Sequence, residues 1–399
     1  MKLILRIGII GVFLVVLAVV IILARGYRLN VEQQNITPTG IISISAYPQA
    51  AKVYINGVLK GVTDINLTLP PDTYSIEVKK DGYTTWNKTV GLRGELVLSL
   101  DALLYPINPS LSPVTNLGVV NAVPIDQTDR VVLFSDIGDA FKDGIYLYES
   151  SKGPISFFPA LKLVLLKQTL VNSIGPVEFN KVQVNASPDG KEAIFLFTPA
   201  TSGRPSSSFL LSLDQENTNL FDITQSKDTL IEAWNQQKLE INQKILQAYP
   251  KEIAPIATSS FDVLEFSQDD TKVLYRASTS ISLPKVKAIP EIGLNQTPEE
   301  RSIVENKLYV YDKKEDRNYQ IEISDFPNIS WYSDSKHLAV NEGNRVSFID
   351  FDGTNKQTVY SGPFNKDFMK LTADGKILIL TNFNPEANKF PDLYSVGIK

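Results

Sequence analysis

No cysteine occurs among the 399 residues, and histidine occurs once. The first absence excludes a disulfide framework, a thiol nucleophile, an iron–sulfur cluster, a cysteine-ligated zinc and a lipidated cysteine anchor. The second leaves no multi-histidine metal site and lets a Ser-His-Asp triad pass only through His337. A basic surplus is missing as well. There are 39 Lys and Arg against 44 Asp and Glu, a net charge of −5, which speaks against a nucleic-acid partner. Neither a G-x-x-x-x-G-K-[ST] loop nor a strand-borne G-x-G-x-x-G loop is present to cradle a phosphate. With 43% hydrophobic and 21% charged residues the chain has the material for packed cores. At about 150 residues per domain its length suggests two or three domains. The composition leans away from catalysis, and no catalytic, cofactor-binding or metal-binding residue is assigned.

One long apolar run is present. Residues 7–24 read IGIIGVFLVVLAVVIILA, without a charge, between Lys2 and Arg6 on one side and Arg25 and Arg28 on the other. As a helix this run spans about 27 Å, just enough for a hydrocarbon core. A cleaved signal peptide would have an apolar region of about 7 to 15 residues and a small-x-small site. Leu23-Ala24-Arg25 offers no such site. Residues 1–28 are therefore expected to form an uncleaved transmembrane signal anchor, with 7–24 in the lipid bilayer. The flanking charges barely decide orientation. The expectation is a single-pass cell-membrane protein with a cytoplasmic N-terminus and an extracytoplasmic bulk.

After a polar tether over 29–40, residues 41–105 alternate with period 2. Ile42, Ile44 and Ala46 are followed by Val53 and Ile55, then by Tyr74, Ile76 and Val78. Asn56-Gly57 and Asp81-Gly82 mark turns between strands. About seven short strands predict a small antiparallel β-sandwich. The run Pro48-Gln49-Ala50-Ala51-x-Val53-x-Ile55-Asn56-Gly57, then Gly61-x-Thr63, Leu69-x-Pro71-x-x-Tyr74-x-Ile76-x-Val78 and Gly82-Tyr83, resembles the PEGA domain. Ala50 stands at a usual glycine and Asp72 in place of a usual Pro-Gly turn. The resemblance implies a cell-envelope or surface-layer β-module, often beside a membrane segment, whose ligand is a protein or a polysaccharide. It carries no catalytic residues.

A Pro-rich linker over 106–113 leads to residues 114–399, where one turn recurs. Ser187-Pro188-Asp189-Gly190-Lys191, Ser267-Gln268-Asp269-Asp270-Thr271, Ser333-Asp334-Ser335-Lys336 and Thr372-Ala373-Asp374-Gly375-Lys376 each precede an apolar strand. A degenerate copy stands at Gln127-Thr128-Asp129-Arg130. The repeat resembles the Ser-Pro-Asp-Gly-Lys turn of WD-repeat-like or Tol-type β-propellers, and predicts five to seven blades of about 45 residues. The fold class is all-β, with insertions near 226–250 and 279–306. The first reads as an amphipathic helix, opened by a Thr229–Glu232 capping box and carrying Leu230, Trp234, Ile241, Ile245 and Ala248. The second reads as a loop ending in a short helix capped by Thr297. The helix either covers a blade junction or docks a partner.

Trp234, Ile241 and Ile245, with Tyr54 and Trp86 on the sandwich, are the candidate interaction surface. Tyr54, Tyr74, Tyr83 and Trp86 read either as a sugar platform or as packing aromatics. His337 aligns with Glu192, Lys272 and Ile377 in the other repeats, a variable position read as a blade surface or edge. Asp136, Asp139 and Asp143, and Asp350 with Asp352, read as solvated turn acids, and Lys313 to Arg317 as a solvated turn. The expected function is a membrane-anchored envelope protein presenting two β-modules that bind protein or polysaccharide, without enzymatic activity. The alternatives are a surface-layer or envelope structural component and, less favoured, an extracytoplasmic carboxylate-dependent hydrolase.

Overall fold

The computed structural model describes residues 2–24, 27–30, 35–150, 161–198, 206–287, 294–323, 328–386 and 389–398. The chain divides into two compact units. One comprises Met1–Ile107 with Lys287–Pro298, the other Asn108–Val286 with Glu299–Lys399.

In the first unit, helix α1 runs over Lys2–Ala24. Among the described residues no helix is long and apolar enough to cross a membrane, and in α1 only residues 8–21 have described side chains. The expected tether is not plain coil: Tyr27–Asn30 and Asn35–Pro38 pair as a short hairpin. Two sheets follow. Ile65–Leu69, Gly40–Tyr47 and Val97–Leu103 form a three-stranded sheet. Trp86–Leu92, Asp72–Lys79, Lys52–Ile55 and Val58–Val62 lie side by side in the other. The period-2 residues Ile42, Ile44, Val53, Ile55, Tyr74, Ile76 and Val78 are the buried core. One expectation needs correcting: Gly40–Tyr47 and Val97–Leu103 pair in parallel, so the sandwich is mixed. A hairpin connects only antiparallel neighbours, and these two strands lie far apart in sequence.

Asn56-Gly57 turns the chain with φ of 49° and 78°, as a two-residue hairpin loop requires. The Asn56 carboxamide accepts from the Ser75 N–H at 2.9 Å. Ala50 has φ of 59°, a left-handed conformation that a Cβ opposes. This is the physical reason a glycine suits the position. Ala50→Gly should stabilise the sandwich by about 0.5–1 kcal/mol, read as slower native-state hydrogen exchange along Lys52–Ile55.

The 279–306 segment has no helix among its described residues. Ile281–Ser282 pairs with Ser302–Ile303, and Leu294–Asn295 adds a fifth strand beside Trp86–Leu92. Thr297 is no helix cap; its N–H donates to the Asn295 side chain at 3.1 Å, closing a local turn.

The second unit holds five four-stranded antiparallel sheets among its described residues. The first four blades are 119–166, 183–222, 261–321 and 329–360, each starting with its innermost strand. In the fifth, Lys370–Leu371, Lys376–Thr381 and Asp392–Gly397 are completed by Ser110–Pro113. The assumed linker thus contributes a blade strand, and the two ends of the propeller close the ring within one sheet. Burying one face of each sheet against the next produces shared cores. One joins blades one and two through Phe134, Phe195 and Phe209. Another joins blades three and four through Leu274, Val310 and Leu338.

The repeated turns share one geometry. The N–H of Ile125, Ser187, Ser267, Tyr332 and Thr372 donates to the carbonyl of Arg130, Glu192, Lys272, His337 and Lys376 respectively. Ser187 and Ser267 donate to Asp189 and Asp269 at 2.7 Å. Burial works against the charge of Asp269, yet the Ser267 and Thr271 hydroxyls and the Thr271 N–H outweigh it and hold its carboxyl at about 2.

This register corrects the alignment of His337. Its counterparts are Arg130, Glu192, Lys272 and Lys376, so four of five copies are basic, and Ile377 is one residue past its place. The position is no exposed edge either, since His337 is 4% exposed. Its Nδ1 lies 2.6 Å from Asp334 and its Nε2 3.4 Å from Asp350, the residue opposite it in the next strand. Lys272 faces Asp312 at 3.8 Å in blade three, and Arg130 faces Glu149 at 3.4 Å in blade one. In blades one, three and four, therefore, a cation opening the second strand closes on an acid ending the third. Burial pushes the imidazole down, but the two carboxylates outweigh it and raise its pKa to about 9.

The other acids are not simply solvated. Asp143 is buried and accepts from the N–H groups of Ile137 and Gly138 at 2.7 and 3.0 Å. Asp352 is buried and takes the Thr354 hydroxyl at 2.6 Å. Asp316, in the turn expected to be solvated, is 2% exposed. It accepts from the Tyr311 hydroxyl at 2.9 Å and the Val286 N–H at 2.8 Å, and pairs with Arg301 at 3.4 Å. Those bonds tie both ends of the second insertion to blade three.

Candidate functional site

The innermost strands of the five blades face one axis. They bring Val123, Asn185, Glu265, Ser330 and Lys370 to the wall of a single cavity of about 380 Å³. A second space of about 390 Å³ shares Glu265, Ile241, Asn242 and Lys370 with it and opens toward the repeat turns.

Helix α2 is Lys167–Ile174. Helix α3, Lys227–Leu246, follows blade two, and α4, Ala254–Ser260, leads into blade three. The helix expected in the first insertion is there, but its start differs. Ser226 occupies the N-cap with no side-chain hydrogen bond, and Thr229 falls inside the first turn. The helix turns Ile231, Trp234, Lys238, Ile241 and Asn242 into the first cavity. These recur at three- and four-residue spacing apart from the last pair, as one helix face does. Helix α3 therefore walls the channel rather than lying on the outside of a blade.

The candidate surface residues separate. Trp234 and Ile241 share the first cavity, and Ile245 borders the second. Ile245 also packs against the core formed by Leu246, Tyr249 and Ile253. Trp86 is 5% exposed, with Tyr74 beside it in the sandwich core. It belongs to packing and offers no sugar platform, because its strand alternates inward at that position. Tyr54 is half-buried, with the Lys79 ammonium 5.6 Å from its ring centre.

Glu265 and Lys370 are the titratable pair that sequence reasoning missed. Glu265 lies on the strand Phe261–Phe266, whose sequence looks like any other alternating strand. One carboxylate oxygen accepts from the Trp331 N–H at 2.9 Å, and its carbonyl accepts from the Trp331 indole at 3.2 Å. Burial pushes its pKa up to about 7 against the opposing pull of the Trp331 N–H and the Lys370 charge. Lys370 donates to the Ile125 carbonyl at 2.9 Å. Burial lowers its pKa, while Glu265, Asp126 and Asp129 oppose the shift. The site thus changes charge near neutrality. Among the described residues no group of three or more His, Asp or Glu side chains is placed to hold a metal ion.

No curated protein matches the sequence. Solved structures that resemble the chain include TolB from Agrobacterium tumefaciens, 9% identical, with 70% of this chain and 72% of that one covered and a TM-score of 0.21. TolB from Acinetobacter baumannii is 10% identical, with 81% and 60% covered and a TM-score of 0.22. A Dos1 propeller is 10% identical, with 94% and 82% covered and a TM-score of 0.21. The chain spans about 60% of the length of the Acinetobacter protein. The propeller is established by the order of its own sheets. Residues 39–108 match the PEGA domain, so the chain carries a PEGA domain and, after it, a β-propeller of five blades among the described residues.

Proposed function

We propose that the chain is a membrane-anchored envelope protein whose PEGA domain and propeller face the outside and bind a protein or a polysaccharide. The observation that carries this reading is the uncharged run 7–24, which lies within helix α1. Its side chains over residues 8–21 are exposed all round, with Val12, Phe13 and Val15 at 64–65%. A helix apolar on every side is unfavourable in water and favourable in hydrocarbon. Binding is favoured over catalysis by the scarcity of catalytic side chains: cysteine is absent and the one histidine is held between Asp334 and Asp350. The cavity wall carries two acids, Asp126 and Glu265, together with Lys238 and Lys370.

Protease treatment of intact cells tests the reading. The expected result is release of fragments from the region after residue 28, while the remaining N-terminal fragment stays in the membrane pellet through alkaline carbonate extraction. Protection of the C-terminal region in intact cells, or extraction of the whole chain by carbonate, overturns it.

A further inference from the structure

The binding reading above leaves the ligand open, and the cavity beside α3 narrows it. Its volume, about 380 Å³, falls among small-ligand sites. Its charges balance where Glu265 is ionised, above its pKa of about 7: Asp126 and Glu265 then stand against Lys238 and Lys370. Such a lining has no cationic surplus for a phosphate or nucleotide and no anionic surplus for an amine. What remains is one aromatic surface and several carboxamides. Trp86 and Trp331 are buried, at 5% and 6% exposure, whereas Trp234 is half-exposed in the cavity wall. The side chains of Asn185, Asn235 and Asn242 also line it, and none has a hydrogen-bond partner among the described residues. A carboxamide offers two donors and an acceptor, so three of them present both functions around the indole.

A pyranose has the complementary surface: an apolar C–H face and a rim of hydroxyls that each donate and accept. We propose that this cavity binds a neutral saccharide, with one sugar face on Trp234 and its hydroxyls on Asn185, Asn235 and Asn242. The proposal rests on the binding reading and specifies its site and ligand class. Helix α3 is then the specificity element, since it supplies Trp234 and two of the three carboxamides.

The test uses the full chain in detergent micelles with gluco-, manno-, galacto- and N-acetylglucosamine oligomers. Tryptophan emission and calorimetry are recorded. At least one saccharide is expected to shift the emission and bind with Kd between about 10 μM and 1 mM. Trp234→Ala should abolish the spectral shift, and Trp234→Ala and Asn242→Ala should each weaken calorimetric affinity tenfold or more at an unchanged unfolding midpoint. Should Trp234→Ala fail to fold, Asn235→Ala with Asn242→Ala carries the same expectation. Absence of binding by every oligomer up to about 10 mM overturns the ligand class, and capture of a protein partner in that case leaves the wider binding reading standing. Saccharide binding undiminished in the variants overturns the site and also leaves that reading standing.

Discussion

Replacing His337 by leucine is expected to destabilise the propeller by about 3–5 kcal/mol, because it leaves Asp334 and Asp350 facing each other without their cation. The pH dependence is equally specific. An imidazole with a folded pKa of about 9 and an unfolded value near 6.5 binds its proton more tightly in the native state. Its stabilisation is fully present below pH 6.5 and is lost as pH rises through 9. The amount is about 3 kcal/mol for a shift of this size. Urea unfolding of the full chain in detergent at pH 6, 7.5 and 9.5 measures it. His337→Lys should preserve stability at pH 9.5, since lysine already occupies the equivalent place at Lys272 opposite Asp312. Equal pH profiles for the wild type and both variants would show that the ion pairs contribute nothing.

The second large effect has the opposite sign. Glu265→Gln should stabilise the chain at pH 8 by about 2 kcal/mol and change little at pH 4. The folded carboxyl titrates at about 7 against about 4.3 in an unfolded chain. The protonated form therefore favours folding below pH 4.3, and that contribution disappears as pH rises through 7. Glutamine keeps an oxygen for the Trp331 N–H without a charge to bury. The cavity is open to solvent on one side, so the full shift is discounted for screening. The same pH series reads the result; a variant less stable than wild type at pH 8 would mean that the Glu265 charge is paired favourably. His337 acts between pH 6.5 and 9 and Glu265 between about 4.3 and 7, so the two variants separate the windows.

Short-range patterns were the legible part. The alternation of Ile42, Ile44, Val53 and Ile55 marked core positions, and Asn56-Gly57 marked its turn, because strand faces and turn dihedrals depend on a few adjacent residues. The repeated Ser-x-Asp turns located blade openings down to the degenerate copy ending at Arg130. Reading failed where the partner is distant. Nothing near Ser110–Pro113 announces that it pairs with Asp392–Gly397. The buried His337 did leave a signal that went unread: a base opening one strand and an acid ending the next recur together at Arg130 and Glu149, and at Lys272 and Asp312. Glu192 facing Ser212 in blade two and the alignment on Ile377 instead of Lys376, which itself faces Gly397 in blade five, made the position look variable.

The sequence by itself determined the classes of chemistry this protein lacks, the apolar N-terminal run, the strand faces and the turns. All of these follow from residue type and local spacing. Only the tertiary structure decided that helix α3 walls a channel, that Glu265 and Lys370 line the same cavity, and that Trp234 lines it while Trp86 is buried in the sandwich core. Those outcomes depend on how separate blades are set around one axis, and a side chain's exposure, charge state and partners depend on that arrangement more than on its neighbours in the chain.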